Sequence, residues 1–123
     1  VFFPGHQRDL ITWYAAADVA VTASRSEGLP FNVMEAMYAG LPVVASAVKG
    51  HTDLIEDGRT GLLYPYGDSG ACAGQIQRLL DAPELRRSFA EAAKSNIGHY
   101  GLDEVFPQVM EQYLSMLPSG VPV

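Results

Sequence analysis

The sequence predicts an α/β fold in which helices cover a parallel sheet. Apolar, β-branched segments alternate along the chain with amphipathic helical segments, which is the order of strand and helix units around a parallel sheet. Residues 19–23 read Val-Ala-Val-Thr-Ala, the composition of a strand that is covered on both faces. Hydrophobic residues make up 48% of the 123 residues and charged residues 18%. This balance favours one folded domain with a sizeable core over a disordered chain.

The first half of the chain contains three predicted strands and two predicted helices. The strands are short apolar runs, and the helices carry apolar residues at helical spacing, as Leu10, Ile11 and Tyr14 do. Trp13 and Tyr14 are expected to serve as packing residues. The predicted elements are, in order, a buried strand at 1–3, a helix at 9–17, a strand at 19–23, a helix at 33–39 that Gly40 closes in a left-handed conformation, and a strand at 43–45.

The second half is predicted to end the sheet and to continue in helices. Asp81 and Glu84 resemble a capping box at the start of one of these helices. The last helix has apolar residues at helical spacing, and burial in the core explains this face more simply than a partner protein does. The predicted elements are a helical turn at 50–55, a turn at Asp57-Gly58, a strand at 61–64, and helices at 69–80, after Asp81 and at about 103–117.

Charge and cysteine content exclude several classes of function. Fourteen acidic against eight basic residues give a net charge of −6, so the chain has no broad positive field for nucleic acid or for an anionic membrane surface. The single cysteine, Cys72, forms no disulfide within the chain and fits a reducing cytoplasm. His6 and His99 have no acids or cysteines at ligand spacing, so no metal site is expected.

The loop that follows the strand at 19–23 is the first candidate site, because ligands gather at the carboxyl ends of parallel strands. This loop, residues 24–32, leads into the helix that contains Glu35. A helix start presents free N–H groups and a partial positive charge, which together favour a phosphate or diphosphate. Glu27 and Glu35 would repel a diphosphate, so if they are functional they should contact hydroxyl groups of a ribose or a sugar.

Simpler structural interpretations exist for the same residues. Glu35 lies three residues after Asn32, a good helix cap, and could be a capping acid in the first turn. Glu27 could be an ordinary loop acid. His51 lies just beyond the strand at 43–45 and could touch a ligand, although a lone loop histidine is more often structural or solvated.

The motif at 27–45 resembles a known signature. Glu27-Gly28-Leu29-Pro30-Phe31-Asn32-Val33-Met34-Glu35-Ala36-Met37, followed by Ala39-Gly40-Leu41-Pro42-Val43-Val44-Ala45, is similar to the pair of glutamates, separated by seven residues, of retaining GT-B glycosyltransferases, especially the GT4 group. Phe3-Pro4-Gly5, Ala17-Asp18-Val19 and Gly50-His51-Thr52-Asp53-Leu54-Ile55 also agree with the family. The resemblance covers roughly residues 1–117.

The resemblance implies the roles of the site residues. Glu27 would be the catalytic residue that contacts the hydroxyls of the donor sugar, and Glu35 would bind the ribose diol. Gly28 belongs to the same donor loop, and backbone groups of Leu29, Phe31 and Asn32 would approach the sugar and the diphosphate. Many relatives have glycine where this sequence has Pro30, which lacks an N–H and removes one possible phosphate donor.

The resemblance also implies what the chain does and what it needs. Residues 1–123 would be a partial, Rossmann-like nucleotide-sugar-binding domain from the C-terminal half of a GT-B enzyme. The enzyme would use a UDP-, GDP- or ADP-sugar without a metal or cofactor. It would modify a glycan, lipid or polysaccharide in the cytoplasm or at the periphery of the inner membrane, with exopolysaccharide or capsule as the expected product.

The same resemblance places several parts of the enzyme upstream of this chain. They are the Arg and Lys that neutralise the diphosphate and the N-terminal acceptor domain. The chain alone is therefore expected to bind donor weakly and to transfer nothing. In the usual sheet order of the family, the strand at 1–3 lies beyond two strands that this chain does not contain. That strand should pair differently, for example with a second copy of the chain, or form an exposed edge.

Three other functions are compatible with an α/β fold. A nucleotide-sugar epimerase or a relative of glycogen phosphorylase could share the fold, but the spacing of the glutamates favours the GT4 group. A non-catalytic α/β binding or signalling module is the third. A receiver domain needs an aspartate at the carboxyl end of a strand, whereas Asp18 precedes its strand. Dinucleotide and P-loop modules need glycine-rich signatures that are absent from the sequence.

Overall fold

The sheet contains three strands within the described part of the chain. The computed structural model describes residues 1–7, 10–28, 30–99, 108 and 111. In these ranges the elements are α1 (Leu10–Ala16), β1 (Ala20–Thr22), α2 (Phe31–Tyr38), β2 (Val43–Ser46), α3 (His51–Leu54), β3 (Gly61–Tyr64), α4 (Ser69–Leu80) and α5 (Pro83–His99). The strands lie in the order β1-β2-β3 and all pair in parallel. The predicted α/β class with a parallel sheet is confirmed.

The core lies on both faces of β2, which is fully buried along its length. Val43 and Ala45 pack with residues of α2 on one face. Val44 packs on the other face with Leu62 and with Leu79 of α4. Helix α5 spans the edge between these clusters, because its Phe89 belongs to one and its Ala93 to the other. The alternation of side chains along a strand therefore gives β2 two hydrophobic layers.

Strand β1 is covered less completely than its composition predicts. Thr22 is buried, but Val21 retains 49% exposure. Among the described strands, β1 pairs only with β2, in the register Ala20 to Val43. The prediction of burial on both faces is wrong for Val21 because β1 is the edge of the described sheet.

The predicted strand at 1–3 is also wrong. The structure assigns no strand to these residues, and Phe2 and Phe3 are 77% and 87% exposed. An apolar run is suited to a sheet, but it becomes a strand only where a neighbouring strand pairs with its backbone. No described strand pairs with this segment, so it is neither buried nor an edge strand.

Most other predicted elements are confirmed, with small shifts at their ends. Helix α2 begins two residues earlier than predicted, and Gly40 follows it with a φ of +79°, as expected of a left-handed helix end. The predicted cap Asp81 is wrong by one residue, because α5 begins at Pro83 and the Asp81 carboxylate accepts a hydrogen bond from Gln77 instead. The helix at 103–117 lies outside the described residues, apart from helical, exposed Gln108 and Glu111.

Candidate functional site

The candidate site is built where the described strands reach their carboxyl ends. β1 ends at Thr22 and β2 ends at Ser46, and both residues are buried. The Tyr64 hydroxyl, at the end of β3, donates to Thr22 O at 3.1 Å. Burial and the neighbouring Cys72 raise the pKa of Tyr64 to about 12, so its hydroxyl stays protonated and continues to donate. This hydrogen bond thus joins the end of β3 to the end of β1, at the point where the loop that carries Glu27 begins.

Glu27 is half-buried and is held by its own loop. Ser24 Oγ donates to Glu27 Oε1 at 2.5 Å. On its other side, Ser24 Oγ lies 3.4 Å from Thr22 Oγ1, which accepts a hydrogen bond from Asn32 Nδ2 at 3.3 Å. The structure therefore brings Glu27 and Asn32, two of the predicted site residues, into one chain of hydrogen bonds.

The backbone of Gly50 lies close to the backbone of Glu27. Its φ of +97° and ψ of −58° lie in a region that L side chains rarely adopt. A Cβ added at this position would lie 2.7 Å from Glu27 O and 2.9 Å from Glu27 Cβ. The close approach of the two backbones requires glycine here, and Gly50 therefore limits how the Glu27 loop can lie.

Glu35 is half-buried on α2 and is held by a different element. Its Oε2 accepts a hydrogen bond of 2.5 Å from the Tyr14 hydroxyl of α1. Burial, and then the hydrogen bond and charge of Glu35, raise the pKa of Tyr14 above its ordinary value of 10.0. The phenol is thus a stable donor that leaves the remaining lone pairs of the carboxylate for another partner.

The structural interpretation of Glu35 as a capping acid is wrong. Helix α2 begins at Phe31, no acid lies in its first turn, and its N-cap residue Pro30 makes no side-chain cap hydrogen bond. Asn32 lies inside the helix, and its amide binds Thr22 rather than an N–H of α2. Proline is tolerated as the N-cap residue because the missing N–H at this position would not form a hydrogen bond within the helix.

The other predicted site residues fall into three groups. Gly28 is exposed, with open space where a side chain would be, and Phe31 at the start of α2 is 38% exposed. Leu29 lies outside the described residues. His51 is completely buried, with Nδ1 2.8 Å from Ser46 O. It is therefore neither solvated nor open to direct contact with a ligand.

A cavity of about 310 Å³ lies along the edge of β1, between α1 and α2. Its lining includes Tyr14, which holds Glu35, and Thr22 and Asn32, which belong to the hydrogen-bond chain of Glu27. Neither glutamate is among its described lining residues. The cavity thus borders the residues that support the two glutamates rather than the carboxylates themselves.

Sequence reasoning missed the polar supports of the site. Tyr14 was expected to pack, and its ring does pack against the core, but its hydroxyl also binds Glu35. Trp13 was expected to pack but is 42% exposed, and its Nε1 donates to Gln7. A tyrosine in an otherwise apolar stripe carries a polar tip that needs a partner when it is buried, and this was the available signal.

The fold and this junction define an α/β domain with a cluster of polar side chains at the carboxyl ends of its strands, where such folds bind ligands. Residues 1–96 match the family described as Glycosyl transferases group 1. The chain belongs to this family, which confirms the resemblance to group 1 glycosyltransferases of the GT-B fold.

Named relatives show the same likeness over part of their length. The chain is 40% identical over 98 residues to D-inositol 3-phosphate glycosyltransferase 2 of Catenulispora acidiphila, covering 80% of this chain and 23% of that protein. The structure of HepE of Anabaena in complex with UDP and glucose has a TM-score of 0.72 at 27% identity, covering 89% of this chain and 30% of HepE. Sucrose-phosphate synthase of Thermosynechococcus elongatus has a TM-score of 0.69 at 31% identity, covering 85% and 27%. The chain therefore spans between about a quarter and a third of the length of these proteins.

Within the described residues, no helix combines the length and the apolar character that crossing a membrane requires.

Proposed function

We propose that this chain is the donor-binding part of a retaining glycosyltransferase of the GT4 group. The complete enzyme transfers a sugar from a nucleotide-sugar to a glycan, lipid or polysaccharide acceptor. The observation that carries the proposal is the junction at which Glu27 is held at the end of β1 beside the start of α2. Membership of the group 1 family and the likeness to a structure that contains UDP and glucose support it.

The start of α2 receives the diphosphate. The first N–H groups of any helix lack partners inside the helix, and the N-cap residue Pro30 makes no side-chain hydrogen bond to them. The amides of Val33 and Met34 both donate to Pro30 O, which leaves the amides of Phe31 and Asn32 as donors to an anion. The helix dipole adds a partial positive charge at the same point. An acidic chain can thus bind an anion without a basic side chain in the loop.

The two glutamates bind the hydroxyl groups at the two ends of the donor. Glu27 accepts from hydroxyls of the transferred sugar through the lone pairs that Ser24 leaves free. Glu35 accepts from the ribose diol while Tyr14 continues to donate to its Oε2. Charge-assisted hydrogen bonds of this kind are about twice as strong as neutral ones.

Transfer itself needs charges and surfaces beyond these residues. The leaving diphosphate is neutralised by side-chain cations of the complete enzyme, together with the dipole of α2, and no metal or cofactor takes part. The acceptor binds to a separate N-terminal domain. The chain alone therefore binds the donor weakly and does not transfer the sugar.

Finer features of the function follow the same proposal. Exopolysaccharide or capsule is the product, and the enzyme acts in the cytoplasm, at or near the inner membrane. The names of two relatives contain an inositol phosphate and sucrose phosphate, so an acceptor assay with the complete enzyme tests the proposed product. The open edge of β1, with Val21 half-exposed, is the surface through which copies of the chain would associate.

Titration of the complete enzyme with UDP-glucose, GDP-mannose and ADP-glucose tests the proposal. We expect saturable calorimetric binding of one of these donors, and an anomeric configuration that NMR shows to be retained in the product. The 123-residue chain alone should bind the same donor more weakly. If the complete enzyme binds none of these donors and none of their parent nucleotides, the chain is a non-catalytic module and the proposal is wrong.

A further inference from the structure

The imidazole of His51 is buried in a way that packing alone does not explain. The side chain is fully buried, and Nε2 has no hydrogen-bond partner among the described residues. Leaving a buried polar atom unpaired destabilises the fold, because the atom loses its hydrogen bonds to water. An apolar side chain of similar size would avoid this cost. The reason for a histidine at this position should therefore lie in its other ring nitrogen.

Nδ1 is a hydrogen-bond donor to Ser46. It lies 2.8 Å from Ser46 O and 3.2 Å from Ser46 Oγ. A carbonyl oxygen can only accept, so Nδ1 carries the hydrogen and the lone pair lies on Nε2 in the neutral ring. The single donor of the ring therefore points at the last residue of β2.

Ser46 connects His51 to the loop that carries Glu27. Its Oγ donates to Ser24 O at 2.7 Å, so its one hydrogen is committed and its lone pairs face His51. Ser24 Oγ in turn donates to Glu27 Oε1 at 2.5 Å. The links thus run from His51 to the Ser46 carbonyl, from the Ser46 hydroxyl to the Ser24 carbonyl, and from the Ser24 hydroxyl to Glu27. Within each serine, the covalent frame of the residue joins one link to the next.

The backbone beside His51 makes a second contact with the same loop. Gly50 directly precedes His51, and a Cβ at Gly50 would lie 2.7 Å from Glu27 O. The segment of Gly50 and His51 therefore holds Glu27 at two points, once through the hydrogen-bond chain and once through backbone packing.

We propose that His51 is a positioning residue that fixes the Glu27 carboxylate through Ser46 and Ser24. This inference rests on the proposed function, in which Glu27 binds the sugar of the donor and not its nucleotide. His51 then governs how much the sugar adds to the affinity of the nucleoside diphosphate. It does so without touching the donor, because its side chain is fully buried.

Replacement of His51 by two different residues tests this role in the complete enzyme. His51→Leu removes the donor, whereas His51→Asn keeps an N–H near the position of Nδ1. The readout is the ratio of affinities for UDP-glucose and UDP, or for the donor and nucleotide that wild type binds best. We expect His51→Leu to lower this ratio about five- to tenfold, with the affinity for the nucleotide alone unchanged, and His51→Asn to restore most of it.

Ser24→Ala provides a variant that leaves the buried histidine intact. It should lower the same ratio, and adding it to Glu27→Ala should lower the ratio little further, because Ser24 acts only through the Glu27 carboxylate that Glu27→Ala removes. Ser88→Ala, an exposed serine on α5, is the matched control and should leave the ratio unchanged. An unchanged ratio in His51→Leu, whatever the result for Ser24→Ala, or an equal loss of nucleotide affinity, would overturn the inference.

A measurement without ligand separates this inference from the proposed function. The carboxyl 13C signal of Glu27 should shift in His51→Leu relative to wild type and stay in place in Ser88→Ala. If wild type binds no donor but the signal shifts, the proposed function fails and the positioning of Glu27 stands. If the signal does not move, the hydrogen-bond chain does not orient Glu27 and the inference is wrong.

Discussion

The hydroxyl of Tyr14 donates to Glu35 Oε2 at 2.5 Å and thereby joins α1 to α2. Both residues are half-buried. The carboxylate that a capping role would have directed at its own helix is instead directed at a neighbouring one. This bond explains how a charged residue is held in place between two helices although no salt bridge to it is found among the described residues.

Tyr14→Phe is expected to destabilise the fold by about 1 kcal/mol near neutral pH, since it removes a hydrogen bond to a charged group that is only partly buried. The pKa of Tyr14 is raised above 10.0 in the folded chain, so the unfolded chain loses this proton first as the pH rises. The stability that Tyr14 contributes is therefore complete below about pH 10 and is lost above it. Denaturant unfolding of both proteins from pH 7 to pH 11 measures the difference.

Tyr66→Phe is the control for that series, because Tyr66 is 53% exposed. The free energy of unfolding of Tyr66→Phe should stay close to that of wild type over the whole pH range. If the free energy of unfolding lost in Tyr14→Phe grows as the pH rises above 10, the pKa of Tyr14 is not raised in the folded chain.

Glu35→Ala is expected to weaken donor binding in the complete enzyme by about 1–3 kcal/mol, through loss of charge-assisted hydrogen bonds to the ribose. Isothermal titration with the parent nucleoside diphosphate measures this loss without the contribution of the sugar. Glu91→Ala, which replaces an exposed glutamate of α5, should bind as wild type does. Equal affinities in all three proteins would rule out the ribose role of Glu35.

Gly50→Ala is expected to cost about 2–5 kcal/mol of stability. About 1–2 kcal/mol comes from a non-glycine residue at positive φ, and about 1–3 kcal/mol from overlap with the Glu27 backbone. Gly67 has a similar φ of +84°, but an added Cβ would have no atom within 4 Å. Gly67→Ala should therefore show only the cost of the positive φ. Chemical denaturation of the two variants compares them directly, and equal losses would mean that the contact with Glu27 is loose.

Leu79→Ala and Leu80→Ala compare two adjacent leucines of α4. Leu79 is fully buried, whereas Leu80 is 48% exposed. The first change should destabilise the fold by about 2–5 kcal/mol through lost burial and a cavity, and the second by about 0.5 kcal/mol or less. Thermal or urea unfolding measures both. Similar losses for the two variants would contradict the packing of α4 on β2.

Local patterns predicted the elements that depend on local physics. The run at 43–45 is apolar and β-branched because both of its faces are buried, and it forms β2. Gly40 marks the end of α2 because few other residues adopt a positive φ. The position of the Glu27 loop also follows from the sequence, because a loop between a strand and a helix must lie at the end of the sheet, although α2 begins two residues earlier than predicted.

Contacts between distant segments were not predictable in the same way. The partner of Glu35 lies 21 residues away in the chain, and Ser46 lies 22 residues from the Ser24 carbonyl that it binds. No periodicity in the sequence indicates which side chain will meet which across two elements. The strand expected at 1–3 was wrong for a related reason, since a strand depends on a neighbour that composition does not reveal.

The sequence by itself determined the fold class, the order of the elements and the loop in which Glu27 lies, because each depends on residue types and their spacing. Only the tertiary structure decided how the two glutamates are held, which strand is the edge, and why His51 is buried. These features depend on the directions in which side chains converge once helices pack on the sheet. Hydrogen bonds of defined length and direction form only in that packed arrangement.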